Sequence, residues 1–89
     1  MMRVVVVTKP ETDYARSVET FLNDFKRQTG KEVEVLDPDS LAGGTFCQSY
    51  DIVEYPTVIA LSNDGQVQNS WRGTALPTIS EVSYYVSQD

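Results

Sequence analysis

The stretch that decides the fold is Arg3-Val4-Val5-Val6-Val7-Thr8-Lys9-Pro10. Four consecutive valines form a β-branched run that is too short for a helix and apolar on both faces. A central strand covered by helices on both sides reads this way, and Lys9-Pro10 ends it. The next segment supplies a cover. From Thr12 to Gln28 the apolar residues Tyr14, Val18, Phe21, Leu22 and Phe25 recur at spacings that gather them on one helical face. Thr12 or Asp13 is the expected N-cap and Gly30 the stop, with Lys26 and Arg27 complementing the dipole in the last turn.

Outward from this pair, Glu32 to Leu36 alternates charge with Val33 and Val35, as suits an edge strand with one exposed face. A parallel return through a crossover helix is the expected connection. Asp37-Pro38-Asp39-Ser40 reads as a turn leading into a cap. Leu41 to Ser49 then reads as a short helix interrupted by Gly43-Gly44, with Leu41, Phe46 and Tyr50 turned inward. Val58 to Leu61 and Gln66 to Arg72, joined through Asn63-Asp64-Gly65, read as a β-hairpin. Pro77 is expected to open a last helix, with Ile79, Val82 and Val86 on one side. The order is β-α-β-α-β-β-α. It gives an α/β fold with a four-stranded mixed sheet in the order 2-1-3-4, which puts the valine run in the middle.

With 89 residues and 40% apolar composition, residues 1–89 read as one domain with one core. Phe21, Phe25, Tyr50 and Trp71 are the aromatic candidates for stabilising it. The formal charge is -6 and the longest basic run is Lys26-Arg27, so nucleic acid and anionic membranes are poor partners. No apolar run reaches the length of a membrane span or a signal-peptide core, and a cytoplasmic monomer is expected. One cysteine excludes an internal dithiol–disulfide cycle, and with no histidine the chain has almost no ligands for a tetrahedral metal site. The carboxylates of Asp37, Asp39 and Asp51 read as turn and cap residues, and no cofactor is expected.

Thr8-Lys9-Pro10-Glu11-Thr12-Asp13-Tyr14-Ala15 resembles the glutaredoxin active-site segment Thr-Lys-Pro-x-Cys-Pro-Tyr-Cys, which follows a first strand. Tyr50-Asp51-Ile52-Val53-Glu54-Tyr55-Pro56-Thr57-Val58, Asp64-Gly65 and Gly73 are similar to thioredoxin. The resemblance covers nearly the whole chain and implies a thioredoxin-like fold. The family chemistry needs an attacking thiolate at a helix N-terminus and a resolving thiol three residues on. Thr12 and Ala15 stand at those two positions, so the active site reads as degenerate. No histidine is present to activate the Thr12 hydroxyl. Thr12 is then either a helix cap or a ligand-binding hydroxyl.

The resemblance also implies that Lys9 and Tyr14 match residues that glutaredoxins place around glutathione. A solvated Lys9 and a core Tyr14 are the alternative. The Gly-Gly-x-Asp segment that glutaredoxins carry after the last strand is replaced by Trp71-Arg72-Gly73-Thr74. Pro56 resembles the superfamily's cis-proline, although on the residues alone a trans proline at a strand's first position is explanation enough. The implied groove consists of Lys9, Thr12, Asp13, Tyr14, Tyr55, Pro56, Thr57, Gly73 and Thr74, and would bind a peptide or protein partner by strand addition. The expected function is therefore a non-catalytic binding module. A thiol-dependent activity, glutathione-linked or based on Cys47, is the alternative and needs Cys47 exposed near the groove. A structural subunit anchored by an exposed Trp71 is a third. Cys47 itself reads either as a buried small hydrophobe or as an exposed thiol.

Overall fold

The computed structural model describes residues 3–73 and 75–86. Strand β1 (Arg3–Val7) lies between β2 (Glu34–Leu36), to which it is parallel, and β3 (Thr57–Leu61), to which it is antiparallel. An antiparallel β4 (Val67–Arg72) completes the sheet in the order β2-β1-β3-β4. This is the expected mixed sheet with the valine run inside it. Val4 to Val7 are all buried, two per face. Val4 and Val6 pack with Val18, Phe21, Phe25 and Val82, from α1 (Ala15–Thr29) and α3 (Ile79–Val86). Val5 and Val7 pack on the other face with Phe46 and Cys47 of α2 (Leu41–Tyr50), and with Ile52, Ile59 and Leu61. Each fully buried side chain of this size contributes about 1.5–3 kcal/mol relative to exposure. These two clusters therefore set the crossing of the sheet between its helices.

Several local expectations need correction. The first helix begins at Ala15, not Thr12, and neither Thr12 nor Asp13 caps it. Tyr14 occupies the N-cap position without a side-chain cap, while the Thr12 hydroxyl donates back to the Lys9 carbonyl at 3.1 Å. Gly30 does end the helix, in the left-handed region at φ 71°, with its N–H on the Lys26 carbonyl at 2.8 Å. Leu41 points outward and is 90% exposed, because Gly43, Phe46 and Cys47 form the buried side of α2. Strand β2 is shorter than expected, and Val35 is exposed at the sheet edge, where it borders an open hollow shared with Leu22, Asn23 and Lys26 of α1. The last helix starts at Ile79. Thr78 and Glu81 form a reciprocal cap, with the Glu81 N–H on the Thr78 hydroxyl and the Thr78 N–H on the Glu81 carboxylate. Pro77 is buried ahead of that cap. Trp71 is half-buried against the α1–α3 cluster and meets Tyr85 edge-on at 5.8 Å, so it is not an exposed anchor.

Candidate functional site

The residues singled out in the sequence come from three segments: the loop after β1, the turn before β3 and the end of β4. β1 delivers the first. The Thr8 N–H bonds the Leu36 carbonyl at 3.0 Å, holding the chain to the sheet for one residue past the strand. Residues 9–14 then turn over the sheet's end. The Thr12 hydroxyl bonds back to Lys9, and the Ala15 N–H bonds the Thr12 carbonyl at 3.2 Å. The Thr12 hydroxyl is thus occupied in bracing its own loop. Tyr14 is half-buried and packs against the α1–α3 cluster, and Asp13 is exposed.

The second segment is held from both sides. The Thr57 hydroxyl, on a residue only 1% exposed, donates to the Glu54 carbonyl at 2.6 Å. The Gly73 N–H donates to the Pro56 carbonyl at 2.8 Å. The Tyr55–Pro56 peptide bond is cis. Pro56 is buried and Tyr55 half-buried. Among the described residues, neither the N–H nor the C=O of Tyr55 joins a backbone hydrogen bond, while its neighbours' carbonyls are taken. Gly73 sits at φ 84°, in the left-handed region that favours glycine, with the Glu54 carboxylate 2.9 Å from where a Cβ would stand. Thr74 lies outside the described residues.

The structure brings Lys9 and Tyr55 together. The Lys9 ammonium lies 5.4 Å from the centre of the Tyr55 ring and 4.0 Å from the Asp39 carboxylate. Lys9 is half-buried, not simply solvated. Burial pushes the Tyr55 phenol above its ordinary pKa, and the neighbouring Cys47 thiol adds to the shift. Sequence reasoning missed Asp39 and Cys47 as neighbours of Tyr55. Asp39 reads as a turn residue, yet the turn is made by Asp37, whose carboxylate accepts the Asp39 N–H at 2.8 Å. Ser40, accepting from the Gly43 N–H at 3.0 Å, makes the cap. The Asp39 side chain is left facing Lys9. Cys47 is 7% exposed on the inner side of α2, so it behaves as a small hydrophobe packed beneath Tyr55.

No family model and no curated protein matches the sequence. Solved structures do match. The oxidised thioredoxin of Plasmodium falciparum superposes with a TM-score of 0.71 at 15% identity, covering 94% of this chain and 81% of that one. The Schistosoma mansoni thioredoxin pre-protein gives 0.68 at 20% identity, covering 93% and 73%. Thioredoxin 1 of Thermosipho africanus gives 0.65 at 14% identity, covering 94% and 89%.

The chain has the thioredoxin fold.

Within this thioredoxin fold the only cysteine of the 89 residues is Cys47, so no Cys-x-x-Cys pair exists. Thr12 and Ala15, where the resemblance would place the two thiols, stand in the loop before α1 and at its first residue, both half-buried. Lacking a thiol at both places, the thioredoxin fold here cannot form an internal disulfide. Among the described residues no cluster of three His, Cys, Asp or Glu side chains is arranged to hold a metal. No helix among them is long and apolar enough to cross a membrane.

Proposed function

We propose that this protein is a non-catalytic thioredoxin-like binding module of the cytoplasm that takes an extended peptide or protein segment at the groove beside Pro56. The observation that supports this reading most directly is the backbone of Tyr55. Its N–H and C=O stay outside the sheet ladder, between a Glu54 carbonyl held by Thr57 and a Pro56 carbonyl held by Gly73. An extended segment laid across Tyr55 would find one donor and one acceptor, the unit of strand addition. Lys9 and Tyr14 would line the facing wall, and their attachment to Tyr55 and to the core keeps that wall in place. The absence of a Cys-x-x-Cys pair leaves binding without thiol exchange.

A panel of unstructured peptides titrated into isotope-labelled protein tests this reading by chemical-shift mapping. Shifts at residues 9–14 and 55–57 are expected, together with no disulfide-reductase activity. Unperturbed spectra across a broad panel would remove the reading.

A further inference from the structure

Helix α2 has an unusual surface. Leu41–Tyr50 contains no Asp, Glu, Lys or Arg, although 22% of the chain is charged and α1 alone carries Arg16, Glu19, Asp24, Lys26 and Arg27. A surface helix ordinarily turns charged residues to water opposite its buried face. Here Leu41, Gly44, Thr45 and Gln48, spaced i, i+3, i+4 and i+7 on the side away from Phe46 and Cys47, together line one shallow hollow, and the remaining exposed positions are the uncharged Ala42 and Ser49. A second hollow adjoins it, sharing Pro38, Gly44 and Gln48 and reaching Val53 and Tyr55. Leu41 at 90% and Val53 at 76% exposure stand on the margins of this trough, the two most exposed large hydrophobic residues among those described. Gly44 leaves its floor without a side chain.

The charges at the trough are of one sign. Asp39 lines one hollow and Asp51 the other, and no Lys or Arg lines either. Lys9 approaches Asp39 only to 4.0 Å, and 73% of the Asp39 side chain remains exposed. The two aspartates flank a helix of ten residues, so they lie about 15 Å apart along it at 1.5 Å per residue. The chain's net charge of -6 adds to the same field.

We propose that this trough docks a basic amphipathic helix of a partner protein. Apolar side chains spaced i, i+3 or i+4, and i+7 on that helix would pack over Gly44 against Leu41 and Val53. Two Lys or Arg residues about three helical turns apart would meet Asp39 and Asp51. Charge complementarity selects this occupant over an acidic segment. The surface is separate from the Pro56 groove and meets it at Tyr55 and at the Lys9–Asp39 contact.

The test uses a synthetic amphipathic helix built of leucine and lysine and a scrambled peptide of the same composition, each titrated into the labelled intact chain. Saturable shifts at residues 38–53 are expected with the first peptide alone, weakening as salt rises. Leu41→Ser should weaken binding about tenfold through lost burial. Asp39→Asn with Asp51→Asn should weaken it about fivefold. Leu41 is exposed, and asparagine suits the left-handed backbone at position 51, φ 56°, so folding is retained. Equal binding of the scrambled peptide, indifference to both variants, or no saturation up to about 1 mM would each overturn the proposal. Shifts confined to residues 9–14 and 55–57 would also overturn it, while supporting the Pro56 groove.

Discussion

The Lys9 ammonium sits 5.4 Å from the centre of the Tyr55 ring, tying the loop after β1 to the segment before β3. Each side chain belongs to a different wall of the candidate groove. Their contact is worth about 0.5–1 kcal/mol at a partly exposed site, so it orders the groove without dominating stability. Lys9→Met should therefore leave the thermal midpoint within a few degrees of wild type. It should, however, broaden or shift amide signals at both residues 9–14 and 55–57. Changes confined to the first segment would mean that the contact does not join them.

Tyr55 should ionise above the ordinary range of a tyrosine. Burial disfavours its phenolate, and the neighbouring Cys47 thiol adds to the shift. An alkaline titration followed in the ultraviolet should show one component above the ordinary value of 10.0, absent in Tyr55→Phe. The folded pKa exceeds the unfolded one. The stability linked to this group is therefore fully present below about pH 10 and is lost as pH rises through the folded pKa. A titration curve that Tyr55→Phe leaves unchanged in its high-pH portion would contradict this.

Cys47 should react slowly with alkylating reagents in the native protein. It is 7% exposed and packed among Phe46, Ile52 and Tyr55, so reaction waits on local opening. Denaturant should speed labelling strongly, and Tyr55→Ala should speed it by at least about tenfold by uncovering the thiol. Native labelling as fast as that of free cysteine would instead favour a thiol-dependent activity. Mass spectrometry of timed samples reads the rate directly.

The sheet was legible in the sequence because its decisive residues have no alternative use. Val4 to Val7 are apolar on both faces and fit only a central strand, and the hairpin follows from Asn63-Asp64-Gly65. The start of α1 was less legible. Thr12 and Asp13 are good caps by type, but the Lys9 carbonyl lies within reach of the Thr12 hydroxyl and competes for it. Leu41 misled for a related reason. Hydrophobicity predicts burial, whereas the helix register set by Gly43 and Phe46 turns position 41 outward. The meeting of Lys9, Asp39, Tyr55 and Cys47 depends on how α2 lies against the sheet, and no spacing along the chain reports that.

Glu34→Gln should reduce acid sensitivity. Arg3 grips Glu34 through two bonds of 2.8 and 2.7 Å, joining β1 to the edge strand, and the paired guanidinium holds the carboxylate below its ordinary pKa. A depressed folded pKa contributes stability above the unfolded value, 4.5, that is lost as pH falls through the folded one. Both side chains are nearly half-exposed, so solvent screening limits the contribution to about 0.5 kcal/mol. Denaturation at neutral pH and at pH 3 should differ less for the variant than for wild type. An unchanged difference would show that the pair is not formed in solution.

Gly43 and Gly44 are adjacent in one helix yet should respond oppositely to alanine. A Cβ at position 43 would stand 1.8 Å from the Asp37 carbonyl oxygen and 2.6 Å from its carbon, both backbone atoms that cannot rotate aside. Gly43→Ala must therefore push α2 off the Asp37–Ser40 turn, where the Ser40 cap is also made. The expected cost is about 3 kcal/mol, at the upper end of overpacking effects. A Cβ at position 44 meets only the Pro38 carbonyl at 3.5 Å, an ordinary contact. Gly44→Ala gains helix propensity there and should stabilise by up to about 1 kcal/mol. Urea denaturation of the two variants decides the matter. Equal destabilisation would mean that α2 is not seated against Asp37 as closely as the structure has it. A stabilised Gly44→Ala would also provide a folded protein whose trough floor is raised by one methyl group, ready for the docking measurement.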